Sequence, residues 1–81
     1  MRKILTDRIF GQNLQKMRFN KGLSQEQVTV QLQLLGSPIV RSTYSLIESG
    51  RGNIFMSDLV GLKQIFGVEY ADFFEGIDTM R

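Results

Sequence analysis

The chain has 81 residues and a formal net charge of +2, with neither histidine nor cysteine. That length allows one domain, and the missing cysteines exclude a disulfide framework or a thiolate zinc site. With no His, no Cys and no paired-carboxylate motif, neither an enzyme nor a cofactor is expected. No apolar run is long enough to span a bilayer. Met1-Arg2-Lys3-Ile4-Leu5 is followed by Thr6-Asp7-Arg8, not by an apolar stretch, so no secretory signal is expected and the cytoplasm is the expected compartment.

The periodicity predicts helices throughout. The first runs from about Asp7 to Asn20, with Thr6 as N-cap and Gly22 just past its end. Phe10, Leu14 and Met17 recur at three- and four-residue steps and share one face. The second starts after Ser24 and extends to about Leu34, with Val28, Leu32 and Leu35 as its inner stripe. Ser24 is a good N-cap, and Gln27 three residues later can complete a capping box. Gly36-Ser37-Pro38 then breaks the chain, because proline disfavours helix at the residue before it. A third helix covers about Arg41 to Ser49, with Tyr44 and Ile47 inward, and Gly50 stops it in a left-handed conformation. The fourth follows Ser57 as N-cap, with Asp58 complementing its dipole and Leu59, Leu62, Ile65 and Phe66 as its stripe up to Gly67. A last short helix spans Glu69 to Phe74. No stretch has a sustained strand alternation. Two short helices separated by a break, the second ended by glycine, have the layout of a helix-turn-helix.

Charge is unevenly distributed. Residues 1–53 carry eight Lys/Arg against three acids, and residues 54–81 carry two against five. A half facing phosphates and a half turned away from them would produce this split.

The series Gly11, Leu14, Met17-Arg18, Gly22-Leu23-Ser24-Gln25, Tyr44, Ile47-Glu48-Ser49-Gly50, Leu59, Leu62, Phe66-Gly67-Val68 and Phe73-Phe74 resembles the Xre/Cro-type helix-turn-helix family, which includes the lambda-type phage repressors. The resemblance covers about residues 8–75. It implies an all-α, compact five-helix domain over residues 1–81, with its core at about 7–75 and tails at 1–6 and 77–81. It further implies a transcriptional regulator, a repressor of phage or bacterial type, that binds a palindromic duplex site as a dimer.

Particular residues follow. Glu48 sits on the inner side of the third helix, where a carboxylate needs a partner. Arg18 is the candidate, and the family pattern pairs an arginine at this place with that glutamate. With Tyr44 and Ile47 inward, Arg41, Ser42, Thr43, Ser45 and Leu46 are the candidates to meet base edges. Arg41 suits the bidentate edge of guanine, and Leu46 either meets a thymine methyl or packs sideways. Gln25, Arg51, Asn53, Lys16 and Lys21 are the phosphate candidates. A glycine-rich nucleotide loop at Gly50 to Gly52 is the weaker alternative, since no strand precedes it. Phe73, Phe74 and Ile77 supply both core closure and an apolar patch for a homodimer. The connection from Thr29 to Tyr44 exceeds the family norm by about five residues, against a usual turn of three or four. Thr29 also replaces a small alanine at the helix crossing. The alternative function is a protein-interaction module, or an antitoxin that binds both a partner protein and its promoter. A controller of a restriction–modification system is a further candidate, on the small size and the absence of any sign of an effector domain.

Overall fold

The computed structural model describes the backbone of residues 3–5 and all of residues 7–77. In chain order the elements are β1 (Lys3–Leu5), α1 (Arg8–Asn20), α2 (Gln25–Leu34), α3 (Arg41–Glu48), β2 (Asn53–Phe55), α4 (Met56–Phe66) and α5 (Tyr70–Phe73).

The five helices enclose one core. Phe10, Leu14 and Met17 of α1 meet Val28 and Leu32 of α2, Tyr44 and Ile47 of α3, Leu59, Leu62 and Phe66 of α4, and Phe73 of α5. The helical periodicity of the sequence therefore defines this interior almost unaided. The departures have local causes. Asp7, not Thr6, is the N-cap of α1, its carboxylate accepting from the Phe10 N–H at 2.8 Å. Asp7→Ala is expected to lower stability by about 1 kcal/mol, measured by denaturant unfolding, because the first-turn N–H group loses its acceptor. An unchanged midpoint would return the cap to Thr6. Likewise α4 begins at Met56, one residue before the expected cap at Ser57.

β1 pairs antiparallel with β2, Ile4 opposite Ile54. This two-stranded sheet replaces part of the N-terminal tail expected over residues 1–6 and adds a small β element to the helical domain. At the other end Ile77 packs partly buried against the core, so the expected tail from residue 77 is anchored at its start. Residues 78–81 lie outside the described residues.

The capping box of α2 is complete. Ser24 Oγ accepts from the Gln27 N–H at 3.0 Å, and Gln27 Oε1 accepts from the Ser24 N–H at 2.8 Å. After Leu34 the lengthened connection turns at Gly36. Two side chains hold it: Gln33 donates to the Ile39 carbonyl at 2.8 Å, and Ser37 Oγ accepts from the Ile39 N–H at 3.1 Å. Ile39 is thereby drawn into the core, whereas Leu35 is 54% exposed. The extra residues thus form a pinned elbow, and the inner stripe of α2 ends at Leu32. Thr29 is buried, and its hydroxyl donates back to the Gln25 carbonyl at 2.8 Å, so the polar group costs the crossing no unmade hydrogen bond.

Candidate nucleic-acid interface

α3 is fixed to the domain by its inner side. Tyr44 and Ile47 are fully buried, and Glu48 is buried beside them. Arg18 grips the Glu48 carboxylate with two bonds, Nε to Oε2 at 2.7 Å and Nη2 to Oε1 at 3.0 Å. Its Nη1 donates to the Leu23 carbonyl at 3.0 Å, tying the same guanidinium to the α1–α2 turn. Gln25 Nε2 also donates to Glu48 Oε1, at 3.0 Å. One carboxylate on α3 therefore gathers α1 and the first turn of α2. Two-point Arg–carboxylate bonding fixes orientation as well as distance. Burial alone would raise the Glu48 carboxyl pKa, but the hydrogen bonds, those from Arg18 foremost, hold it below its ordinary value. Burial pushes the Tyr44 phenol well above its ordinary value, and the neighbouring Glu48 carboxylate adds to the effect. The Tyr44 hydroxyl has no hydrogen-bond partner among the described residues.

Gly11 and Gly50 set how close α1 and α3 lie. A Cβ on Gly11 would overlap the Glu48 carbonyl oxygen of α3. Gly50 has φ +78°, and a Cβ there would stand 2.6 Å from the Arg8 backbone nitrogen. Both glycines are therefore positions where one backbone rests on another.

The outer side of α3 is open. Arg41, Ser42, Thr43, Ser45 and Leu46 are all exposed. At about 100° per residue, Ser42, Leu46 and Ser49 lie opposite the buried stripe, with Thr43 and Ser45 on its flanks. Leu46 is 45% exposed at the centre of that face, so its side chain points outward. No side chain caps α3, since its N-cap residue is Val40. This face combines hydroxyls with an apolar group, and Arg41 stands at the helix start on the flank beside Ser45 and Glu48. Such a set can bond base edges and contact methyl groups.

Beyond α3, Arg51 and Asn53 are exposed on the turn into β2, Arg51 Nε lying 3.5 Å from Ser49 Oγ. The glycine-rich stretch they flank runs from a helix into a strand, the reverse of a nucleotide-binding loop. Gln25 is half-buried, with one amide N–H committed to Glu48 and the rest of the amide available. Lys16 instead lines the groove between α1 and α5, along with Asp72 and Glu75. The Lys21 ammonium lies 3.8 Å from where a Gly67 side chain would begin, beside the end of α4. The two lysines are thus grouped with α4 and α5. Of the C-terminal trio, Phe73 is fully buried and stacks on Phe10, Ile77 packs against the core, and Phe74 is 42% exposed. Sequence reasoning missed Val40. Its exposed position at the N-cap of α3 became visible only once the elbow was placed.

No protein-family model matches the chain, and no curated protein does. Among solved structures it is similar to the restriction-modification controller protein C.AhdI from Aeromonas hydrophila. The two share 28% sequence identity with a TM-score of 0.71, covering 83% of this chain and 94% of that one. The likeness is to a controller protein and not to an enzyme. No helix among the described residues is long and apolar enough to cross a membrane. With its five-helix architecture, its braced α2–α3 pair and this likeness, the chain has the helix-turn-helix fold of that controller protein.

Proposed function

We propose that the chain regulates transcription by binding duplex DNA sequence-specifically, with α3 in the major groove. The observation that carries this reading is the outer face of α3. It is polar, basic at its start and fully open, while its inner face is locked by Arg18, Glu48 and Gln25. Arg41, Ser42, Thr43, Ser45 and Leu46 read bases, and Arg51, Asn53 and the free part of the Gln25 amide hold phosphates. Lys16 and Lys21 are left out, because Lys16 shares its groove with two carboxylates and Lys21 reaches toward α4.

The chain binds as a two-fold dimer on a palindromic site, with recognition helices about 34 Å apart. Phe74, together with exposed Ile9 and Tyr70, is the apolar surface left for a C-terminal contact, since Phe73 and Ile77 belong to the core. Where the site overlaps a promoter the outcome is repression. The similarity to C.AhdI supports a controller role of this kind.

Selection of bound duplexes from a random pool, with the mass of the complex measured alongside, tests the reading. It expects a two-fold symmetric consensus, and no enrichment at low salt would defeat it. Within that consensus Arg51→Ala is expected to weaken binding evenly across sequences and to flatten the salt slope by about one unit. Arg41→Ala is expected to cost about 1–3 kcal/mol and to relax preference at one base pair per half-site. An exchange of these two patterns would swap the roles of the arginines.

A protein-interaction module is the second reading, and one observation favours it. Leu34 is 81% exposed on α2 and, with Leu35, Gln31, Gln64 and Ile65, lines an uncharged groove between α2 and α4. A partner held there would bind with little dependence on salt, unlike DNA.

A further inference from the structure

Beside the first turns of α3 lies a mainly apolar recess of about 190 Å³, walled by Pro38, Ile39, Val40, Thr43 and Phe55, with Asn53 and the buried Asp58 on its border. We propose that this recess is a subsite for the C5-methyl group of a thymine, and that Val40 is a specificity-determining residue. The proposal rests on the DNA-binding reading above.

Val40 occupies the N-cap of α3 in an extended conformation and makes no side-chain cap. Ser, Thr, Asp or Asn at that position would bond the free N–H groups of the first turn. The chain instead carries a branched apolar side chain there, 51% exposed, at the helix end that meets base edges. Thr43 follows at i+3 and sets a second methyl on the same side of the helix. The elbow supplies the remaining wall, because the hydrogen bonds from Gln33 and to Ser37 hold Ile39 inward, beside Pro38. The lengthened connection thereby builds an apolar rim on one flank of the recognition helix. In the major groove the one apolar group that a base pair presents is the thymine methyl, so a mainly apolar recess at this place, with Asp58 at its buried side, distinguishes T·A from the other pairs.

The test replaces each thymine of the selected duplex, one at a time, by deoxyuridine, which lacks only that methyl. One position in each half-site is expected to lose about three- to fivefold in affinity, the worth of one buried methyl. V40S is expected to bind the thymine and deoxyuridine forms of that position equally. Its thermal midpoint should be unchanged or raised, because serine caps α3, so the loss of discrimination cannot come from unfolding. Persistence of the discrimination in V40S would overturn the subsite and hand the methyl to another group. L46A is the comparison, expected to leave this position's preference intact. An enriched duplex indifferent to deoxyuridine at every position would remove the subsite alone. No enriched duplex would remove the DNA-binding reading and the subsite with it.

Discussion

Arg18→Ala is expected to destabilise the domain by about 3–5 kcal/mol, because it leaves the Glu48 carboxylate buried without its counter-charge. A protein of this length has in total roughly 4–12 kcal/mol at the usual 0.05–0.15 kcal/mol per residue. The loss therefore removes a large fraction of the stability, and the thermal midpoint should fall by more than 10 °C at about 4–8 °C per kcal/mol. Glu48→Ala should behave similarly, since it strands Arg18. The double variant should cost much less than the two losses combined, because neither charge is then left alone. The pH dependence has a definite sign. Glu48 titrates below its ordinary value in the folded protein, so its contribution is present at neutral pH and is lost as pH falls through the folded-state pKa. Glu48→Gln should accordingly flatten the acid limb of the stability curve. Equal acid sensitivity in that variant and the wild type, or two single variants with unchanged midpoints, would dismiss the ion pair as a fastener of α3.

Gly11→Ala is expected to be as damaging, for a different reason. The added Cβ would overlap the Glu48 carbonyl oxygen and stand 2.7 Å from its carbon and 2.9 Å from the Ile47 carbonyl oxygen. All three obstacles are backbone, so no rotamer change relieves them, and α1 must move off α3. Overpacking of this sort costs typically 1–3 kcal/mol and more when a helix contact must open. Because the shift also displaces α3, DNA affinity should fall further than stability alone explains. Gly52→Ala is the control, since a Cβ there meets its nearest neighbour at 3.5 Å, an ordinary contact. A Gly11→Ala protein as stable as Gly52→Ala would mean that the two helices are not in close contact.

Two pairs of residues that position α2 and α3 became known for opposite reasons. Ser24 and Gln27 announce their capping box because both partners lie within one turn. Arg18 and Glu48 are 30 residues apart, and only the family resemblance joined them before the geometry did. Gln25 was half read. It stood as a phosphate candidate, and one of its amide N–H groups goes instead to Glu48, by which Gln25 braces α3. Phe73 and Phe74 are adjacent and chemically identical, so composition could not say which is core; both rings reach Phe10, but Phe73 points into the helical interior and is completely buried while Phe74 stays 42% exposed.

The chain's own order of residues determined the helices, the capped start of α2, the buried stripes and the polar outer face of α3, since all of these depend on neighbours three or four positions apart. The tertiary structure alone decided what depends on distant partners. The pairing of Lys3–Leu5 with Asn53–Phe55 spans some fifty residues, and three-residue strands carry no alternation to betray it. The elbow likewise exposed Leu35 and buried Ile39, because the periodicity of a helix stops predicting a side chain's direction where the helix itself stops. Lys16 followed the same rule: its charge was visible from the start, but its neighbours Asp72 and Glu75 lie in and just after α5, more than fifty residues further along.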